Sequence, residues 1–281
     1  MSTPPPPNLA VSACIICKNE GRRLAATLDS LAWCANIVIV DSGSTDGTLE
    51  LAAAHPARPR IIHQDWLGFN PQRQFAAAQC RHPWVLMLDA DEECTPELAR
   101  EIQALSEAKT AAVALLKMPR RNYLAGRYVR CWSPDYQARL IHIDRVDWDP
   151  RPLPEIRHPK PGFSEAMLQS PLLHCRIPPL PEQALTEVND GRKMAAYSTL
   201  LGTHLYQRGK HATFLNLLFR PLCTFLKYYI LRGGFLDGRF GLIIAYKTTI
   251  GVTLKYSVLW SLEQTAADIN TKSRRHEGPR R

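Results

Sequence analysis

The sequence predicts an α/β fold, a mostly parallel sheet with flanking helices, followed by a C-terminal helical region. Three observations lead there. Strand and helix signals alternate through the first 118 residues, the pattern of parallel strands joined by crossover helices. The apolar run Trp84-Val85-Leu86-Met87-Leu88 is followed at once by Asp89-Ala90-Asp91, which reads as a short buried strand with two carboxylates at its end. The excess positive charge, +9 over 281 residues, lies wholly in the last third: residues 190–281 hold 15 Lys and Arg against 5 Asp and Glu.

Each element has its own signal. Ala10–Cys17 is an apolar strand, and Leu24, Leu28 and Leu31 form a helical stripe within 20–33. Asn36–Val40 is a second strand ending at Asp41. Ser44-Thr45-Asp46 then reads as an N-cap region for a helix over 48–54. Arg60–His63 is a third strand. Pro71 and Pro96 each begin a helix, over 71–80 and 96–105, because proline suits the first helical position. Ala111–Met118 follows Trp84–Leu88 as a fifth strand. Residues 119–178 are rich in Pro, Arg, Trp and Tyr and read as an antiparallel edge hairpin, around 136–143, with long functional loops. Helical patterns resume over 181–207, 211–231 and 237–262, broken at Gly233-Gly234. The expected organisation is a disordered Pro-rich N-terminus (1–9), an α/β domain (10–178), an amphipathic helical region (179–265) and a basic flexible tail (266–281).

Hydrophobic residues make up 45% of the chain, ample for a core. No C-terminal stretch reaches 18 residues without a charge, and the start, Met1-Ser2-Thr3 with Pro4 to Pro7, lacks signal-peptide character. The eight cysteines are scattered and read as buried thiols. Cys14 and Cys17 lie three apart on one strand, so their side chains point to opposite faces and do not make a metal or redox pair.

Three constellations fall at strand ends on one edge of the sheet, where ligands bind in α/β folds. They are Cys17-Lys18-Asn19-Glu20, Asp41-Ser42-Gly43-Ser44-Thr45-Asp46-Gly47-Thr48, and Asp89-Ala90-Asp91-Glu92. Asp41 can accept from a base imino group or a ribose hydroxyl, and Gly43 between two serines lets backbone approach a ligand; an ordinary capped loop explains the same residues. Glu20 either anchors a nucleoside or is a first-turn carboxylate favoured by the helix dipole. Gln72 and Arg73 either line a base pocket or simply belong to the first turn of a Pro-initiated helix. Carboxylates at i and i+2 after a strand suit a hard divalent cation shared with phosphate oxygens, giving Asp89 and Asp91 as metal ligands.

These residues resemble family 2 glycosyltransferases with a GT-A fold. Residues 121–127, Pro134–Leu140, the run 197–209, Arg220-Pro221-Leu222 and 234–238 bring the resemblance closer to the lipopolysaccharide core glucosyltransferase subgroup. The resemblance implies an inverting enzyme that uses Mg²⁺ or Mn²⁺ to move a hexose, glucose from UDP-glucose first, onto a lipopolysaccharide core sugar. It places Asp41 at the base, Asp89 by ribose and metal, and Asp91 on the metal at the diphosphate. The family's Gly-x-x-Val-His-Glu segment corresponds to 149–155, where Pro154 replaces the His. Glu155 remains as the general base, with Asp135 as runner-up, and His158 or His174 as stand-ins for the lost imidazole.

In the basic C-terminal third, Phe214, Leu217, Leu218, Leu222, Phe225, Leu226, Tyr229 and Ile230 form a stripe interleaved with Arg220, Lys227 and Arg232. Such helices either pack on the catalytic domain or lie on an anionic membrane surface, which would put the protein peripherally on the cytoplasmic inner membrane. Alternatives are a polyprenyl phosphate or other surface-polysaccharide acceptor, a non-catalytic nucleotide-sugar binder, and a nucleic-acid-binding module. The last lacks any nucleic-acid-binding motif, so no nucleic-acid partner is expected.

Overall fold

A computed structural model describes residues 9–149, 157–177 and 191–276, the side chains of 191–193 and 268–276 excepted. The chain divides into two compact units, Met1–Val129 with Ser133–Leu180, and Arg130–Trp132 with Pro181–Arg281.

The first unit is a mixed sheet with helices on both faces. Its N-terminal half contains β1 (Val11–Cys17), α1 (Gly21–Asp29), β2 (Ile37–Asp41), α2 (Thr48–Ala54), β3 (Arg60–His63), α3 (Phe69–Ala78), β4 (Trp84–Asp89), β5 (Glu92–Cys94), α4 (Pro96–Gln103) and α5 (Glu107–Thr110). The rest contains β6 (Val113–Leu124), β7 (Arg127–Tyr128), β8 (Asp135–His142), β9 (Val146–Trp148), β10 (Arg157–Pro159), β11 (Ser164–Met167) and β12 (Leu172–His174). The main sheet runs β3-β2-β1-β4-β8-β6-β12-β5, with β7 and β11 also pairing with β6. The first four strands in that order are mutually parallel, as the alternation predicts.

Beyond β4 the sheet departs from expectation. Residues 135–142 form no edge hairpin; β8 lies between β4 and β6, antiparallel to both. Arg139, Leu140 and Ile141 are successively buried, which a strand covered on both faces requires and an edge strand does not. Two cores flank the sheet. Leu24, Leu28, Leu98 and Ile102 pack on Ile15, Ile39 and Leu86 on one side, and Ala76 and Ala77 join Val38, Met87 and Ile141 on the other. Cys17 belongs to the first core and Cys14 to the second, as their spacing requires. The third helix begins at Phe69, two residues before Pro71, which its first turn accommodates because those N–H groups lack intrahelical partners.

The second unit is helical, with α6 (Gly191–Gln207), α7 (Phe214–Leu226) and α8 (Arg239–His276). A π-helical turn, Lys227–Leu231, continues α7, and Gly233, at φ +69°, ends that run where glycine tolerates a left-handed backbone. A Cβ on Gly202 would meet the Lys255 carbonyl at 2.8 Å, so glycine permits the close α6–α8 crossing. The last helix is longer than expected. Residues 266–276, read from the sequence as tail, continue α8, and neither Gly nor Pro interrupts the chain from 252 to 277. Residues 1–8 and 277–281, the expected ends of the disordered segments, lie outside the described residues.

Candidate active site

The loops after β1 and β2 are tied to each other. Gly43, at φ +86°, turns the chain so that Asp41 Oδ2 accepts from the N–H groups of Gly43 (2.8 Å) and Ser44 (2.9 Å), while Oδ1 accepts from the Ser44 hydroxyl. Burial alone raises the Asp41 pKa; the Ser44 hydroxyl and these two N–H groups outweigh it and hold the carboxyl below its ordinary range. Asn19, in the left-handed region at φ +58°, donates its N–H to Ser44 Oγ (2.8 Å) and accepts from Thr45 N–H (2.8 Å). Asp46 accepts from the N–H and hydroxyl of Thr48, whose Oγ1 accepts in turn from Glu20 N–H at 3.0 Å. Gln72 is fully buried. Its Nε2 donates to Ser42 Oγ (3.0 Å) and to the Gln64 carbonyl (3.2 Å), which ties α3 to the segments after β2 and β3.

At the end of β4, both oxygens of Asp89 are held by guanidinium groups, Oδ1 by Arg73 at 2.5 Å and Oδ2 by Arg139 at 2.6 Å. Burial pushes the Asp89 carboxyl up, but Arg139 and Arg73 outweigh it and hold it well below the usual carboxylate range. Arg139 also reaches Glu92 Oε1 (2.7 Å), which Arg120 meets at 2.9 Å, and Arg120 continues to Asp135 Oδ2 at 2.6 Å. Glu92 is completely buried, and its other oxygen accepts from Asp89 N–H at 3.1 Å. Three carboxylates and three arginines thus form one connected, locally neutral network, the condition under which charge persists in an interior.

Asp91 faces other partners. The short β5 that follows it pairs antiparallel with β12, setting His174 opposite Glu92, and Cys175 N–H donates to the Asp91 carbonyl at 3.0 Å. His174 Nε2 lies 3.6 Å from Asp91 Oδ2, and Cys175 Sγ lies 3.2 Å from that oxygen. Arg23 Nη1 lies 4.0 Å from the same oxygen and 3.6 Å from Glu20. Thr27 Oγ1 donates to the Ala90 carbonyl (2.8 Å), fixing the turn between the two aspartates. Among the described residues, Asp91, His174 and Cys175 are the group whose ligand atoms are close enough to hold a metal.

The structure therefore brings Asn19, Glu20, Asp41, Ser42, Gly43, Ser44, Asp46, Gln72 and Arg73 together with both aspartates on one sheet edge. It gives the two aspartates different partners. The sequence reads both as metal ligands; the structure engages Asp89 with two arginines and turns Asp91 toward a separate His–Cys pair. Asp135 is held by Arg120, and Glu155 lies outside the described residues. Sequence reasoning gave no role to Glu92, Arg139 or Cys175. The first two sit 47 residues apart and meet only through sheet order, and Cys175 resembled the other scattered thiols.

The chain resembles known proteins along most of its length. The family model described as Glycosyl transferase family 2 matches residues 12–169. A lipopolysaccharide core biosynthesis glycosyltransferase, LpsC of Rhizobium meliloti, is 33% identical over 268 residues, 90% of this chain and 95% of that protein. An uncharacterized glycosyltransferase of Rickettsia felis is 34% identical over 142 residues, 50% of this chain and 43% of the relative. Among solved structures, TarS 1–349 of S. aureus in complex with UDP-GlcNAc gives a TM-score of 0.45 at 13% identity, covering 89% of this chain and 92% of that one. Since the family match spans β1 to β11 and contains the loops of Asp41, Asp89 and Asp91, the chain belongs to glycosyl transferase family 2 and is a glycosyltransferase.

Proposed function

We propose that this enzyme is an inverting, metal-dependent hexosyltransferase that moves a sugar, glucose first, from a UDP donor to a lipopolysaccharide core acceptor. The observation that carries the reading is Asp91 with His174 beyond the carboxyl end of β4, an oxygen and a nitrogen donor 3.6 Å apart beside a loop pair built around Asp41. The similarity to LpsC over nine tenths of the chain supports the acceptor class.

Asp91 and His174 would hold Mg²⁺ or Mn²⁺. His174 Nδ1 lies 2.8 Å from the buried Asn122 Oδ1, an acceptor, so this nitrogen carries the proton and Nε2 presents its lone pair, as an imidazole ligand requires. The cation supplies positive charge against the diphosphate leaving group. Asn19, Asp41 and Ser42 hold the nucleoside, the buried Gln72 positions the Ser42 hydroxyl, and the Arg73–Asp89–Arg139 pairing fixes the ribose side. Glu155, with Asp135 as the second candidate, takes the proton of the acceptor hydroxyl. The acceptor oxygen then bonds to C1 opposite the departing group. The C1–O bond breaks, its electron pair leaves with UDP, and the anomeric centre inverts.

The second unit would serve as a peripheral membrane anchor. No residue of α7 is buried; Phe214 is 75% exposed and Leu231, just beyond it, 81%. Arg220, Lys227 and Arg232 stand among these apolar groups, and each basic residue near an anionic bilayer contributes about 1 kcal/mol. Among the described residues no helix is long and apolar enough to cross a membrane. Together these features favour an interfacial position on the cytoplasmic face of the inner membrane.

A donor panel tests the reading. Purified protein is given UDP-glucose, UDP-galactose or UDP-N-acetylglucosamine with truncated core lipopolysaccharide, in Mg²⁺, Mn²⁺ or EDTA. UDP release that needs both acceptor and cation, with one donor preferred and the product inverted at C1, is the expected outcome. Turnover only with polyprenyl phosphate moves the enzyme to another acceptor class, and turnover that persists in EDTA contradicts the cation's role.

A further inference from the structure

Resting on the cation site proposed above, we infer that Cys175 is a third protein ligand, which makes this site prefer a thiophilic divalent ion to Mg²⁺. Three atoms form a near-equilateral triangle. Cys175 Sγ is 3.2 Å from Asp91 Oδ2 and 3.4 Å from His174 Nε2, and the latter two are 3.6 Å apart. An ion that keeps O, N and S ligands at about 2.0–2.3 Å in tetrahedral geometry spaces them roughly 3.3–3.6 Å from one another. Two of the observed separations, 3.4 and 3.6 Å, fall in that range, and the third, 3.2 Å, lies just below it. Asp91, His174 and Cys175 are each partly exposed, so an ion they held would remain accessible to a diphosphate.

The surroundings fix all three groups. Asn122 sets the His174 tautomer so that Nε2 faces the triangle. Cys175 adopts φ +57°, a left-handed conformation that costs a non-glycine residue free energy, and its N–H is bound to the Asp91 carbonyl. Backbone and side chain of Cys175 are therefore both anchored on the residue whose carboxylate would share the ion. An oxygen-only set suits Mg²⁺, whereas a thiolate shifts preference toward Zn²⁺, Co²⁺ and Cd²⁺, with Mn²⁺ intermediate. On binding, the Cys175 S–H bond breaks, the sulfur lone pair forms the metal–sulfur bond, and the proton passes to solvent.

Co²⁺ titration of the full chain, with UDP present, reads the ligand directly through a near-ultraviolet thiolate-to-cobalt charge-transfer band. The expected result is a band that saturates at one ion per chain, persists in Cys223→Ser, and disappears in Cys175→Ser. That variant should keep the weaker visible ligand-field bands and bind Co²⁺ at least about 10-fold less tightly, since loss of a direct ligand should cost no less than loss of an outer-shell partner. A wild-type chain that binds Co²⁺ without the band, or a band that survives in Cys175→Ser, overturns the thiol ligand and leaves the Asp91–His174 site standing. Failure of the wild-type chain to bind Co²⁺ overturns the cation site itself. Alkylation mapped by mass spectrometry gives a check independent of any variant's folding. Cys175 of the wild-type chain should be protected by saturating Cd²⁺ and UDP and modified without them, and equal modification in both conditions contradicts the inference.

Discussion

The first unit buries charge, and the second exposes apolar side chains. In the first, Glu92 and Arg139 are shut away from solvent and tied through Arg73, Arg120, Asp89 and Asp135 into one network. In the second, Phe214, Leu215, Leu218, Phe219, Leu222 and Leu231 stand in solvent on and just after a helix with no buried residue. Each arrangement is costly without a reason. Buried charges need partners, and a large exposed apolar patch marks a surface that meets something apolar. On the function proposed above, the contrast would separate two tasks, rigid placement of polar groups around a charged donor and contact with an apolar phase.

The comparison breaks most visibly if the buried network is cut. Arg139→Met leaves Glu92 and Asp89 short of a counter-charge, and a loss of about 3–5 kcal/mol is expected in urea unfolding monitored on the first unit. A change below 1 kcal/mol would show that the network is dispensable to the fold. Asp91→Ala should leave stability nearly unchanged and lower kcat/KM by about 100- to 1,000-fold, since it removes charge stabilisation felt in the transition state. Steady-state UDP release separates this from Arg139→Met, whose defect should follow unfolding.

Acid sharpens the same side of the comparison. Asp89 and Asp41 both have pKa values held below the ordinary carboxylate range, so the native state binds fewer protons than the unfolded one. Their stabilisation is complete above the unfolded pKa of about 4 and is lost as pH falls through the lower native values. Stability should decline below about pH 4, and Asp89→Asn should flatten that decline. An identical acid limb in wild type and variant would contradict the linkage.

The second unit is probed by charge. Leu218→Lys with Phe219→Lys should lower partition onto anionic liposomes about 10-fold or more in flotation, while turnover on a detergent-dispersed acceptor stays the same. Unchanged flotation would mean that this face meets something other than a membrane. The smallest effect is expected at the start of α7. Thr213 Oγ1 accepts from Asn216 N–H at 3.2 Å, and Thr213→Ala should cost about 1 kcal/mol in thermal unfolding of the helical unit.

What could be read in the sequence follows the same division. The parallel strands β1 to β4 and their loops were legible because their signals are local: an apolar run, a polar turn, an amphipathic helix. Asp41, Gly43, Asn19 and Asp91 sit in those turns. The insertion of β8 between β4 and β6 was not legible, since antiparallel pairing between distant segments leaves no local mark beyond the consecutive burial of 139–141. The β5–β12 pairing that carries His174 and Cys175 to Asp91 is equally non-local. His174 entered only as a stand-in for the imidazole missing before Glu155, and Asp89 was read as a metal ligand beside Asp91 because nothing near it in sequence announces Arg73 and Arg139. In the second unit, Gly233 marked a break correctly, while polar composition concealed that α8 runs on to His276.

Titration calorimetry of UDP with wild type and Asp91→Ala, each with Mn²⁺ and with EDTA, tests the central claim most directly. Cation-strengthened binding of one UDP to wild type, lost in Asp91→Ala, is the expected result. UDP affinity that is equal in both proteins and indifferent to the cation would contradict a metal-dependent donor site at Asp91.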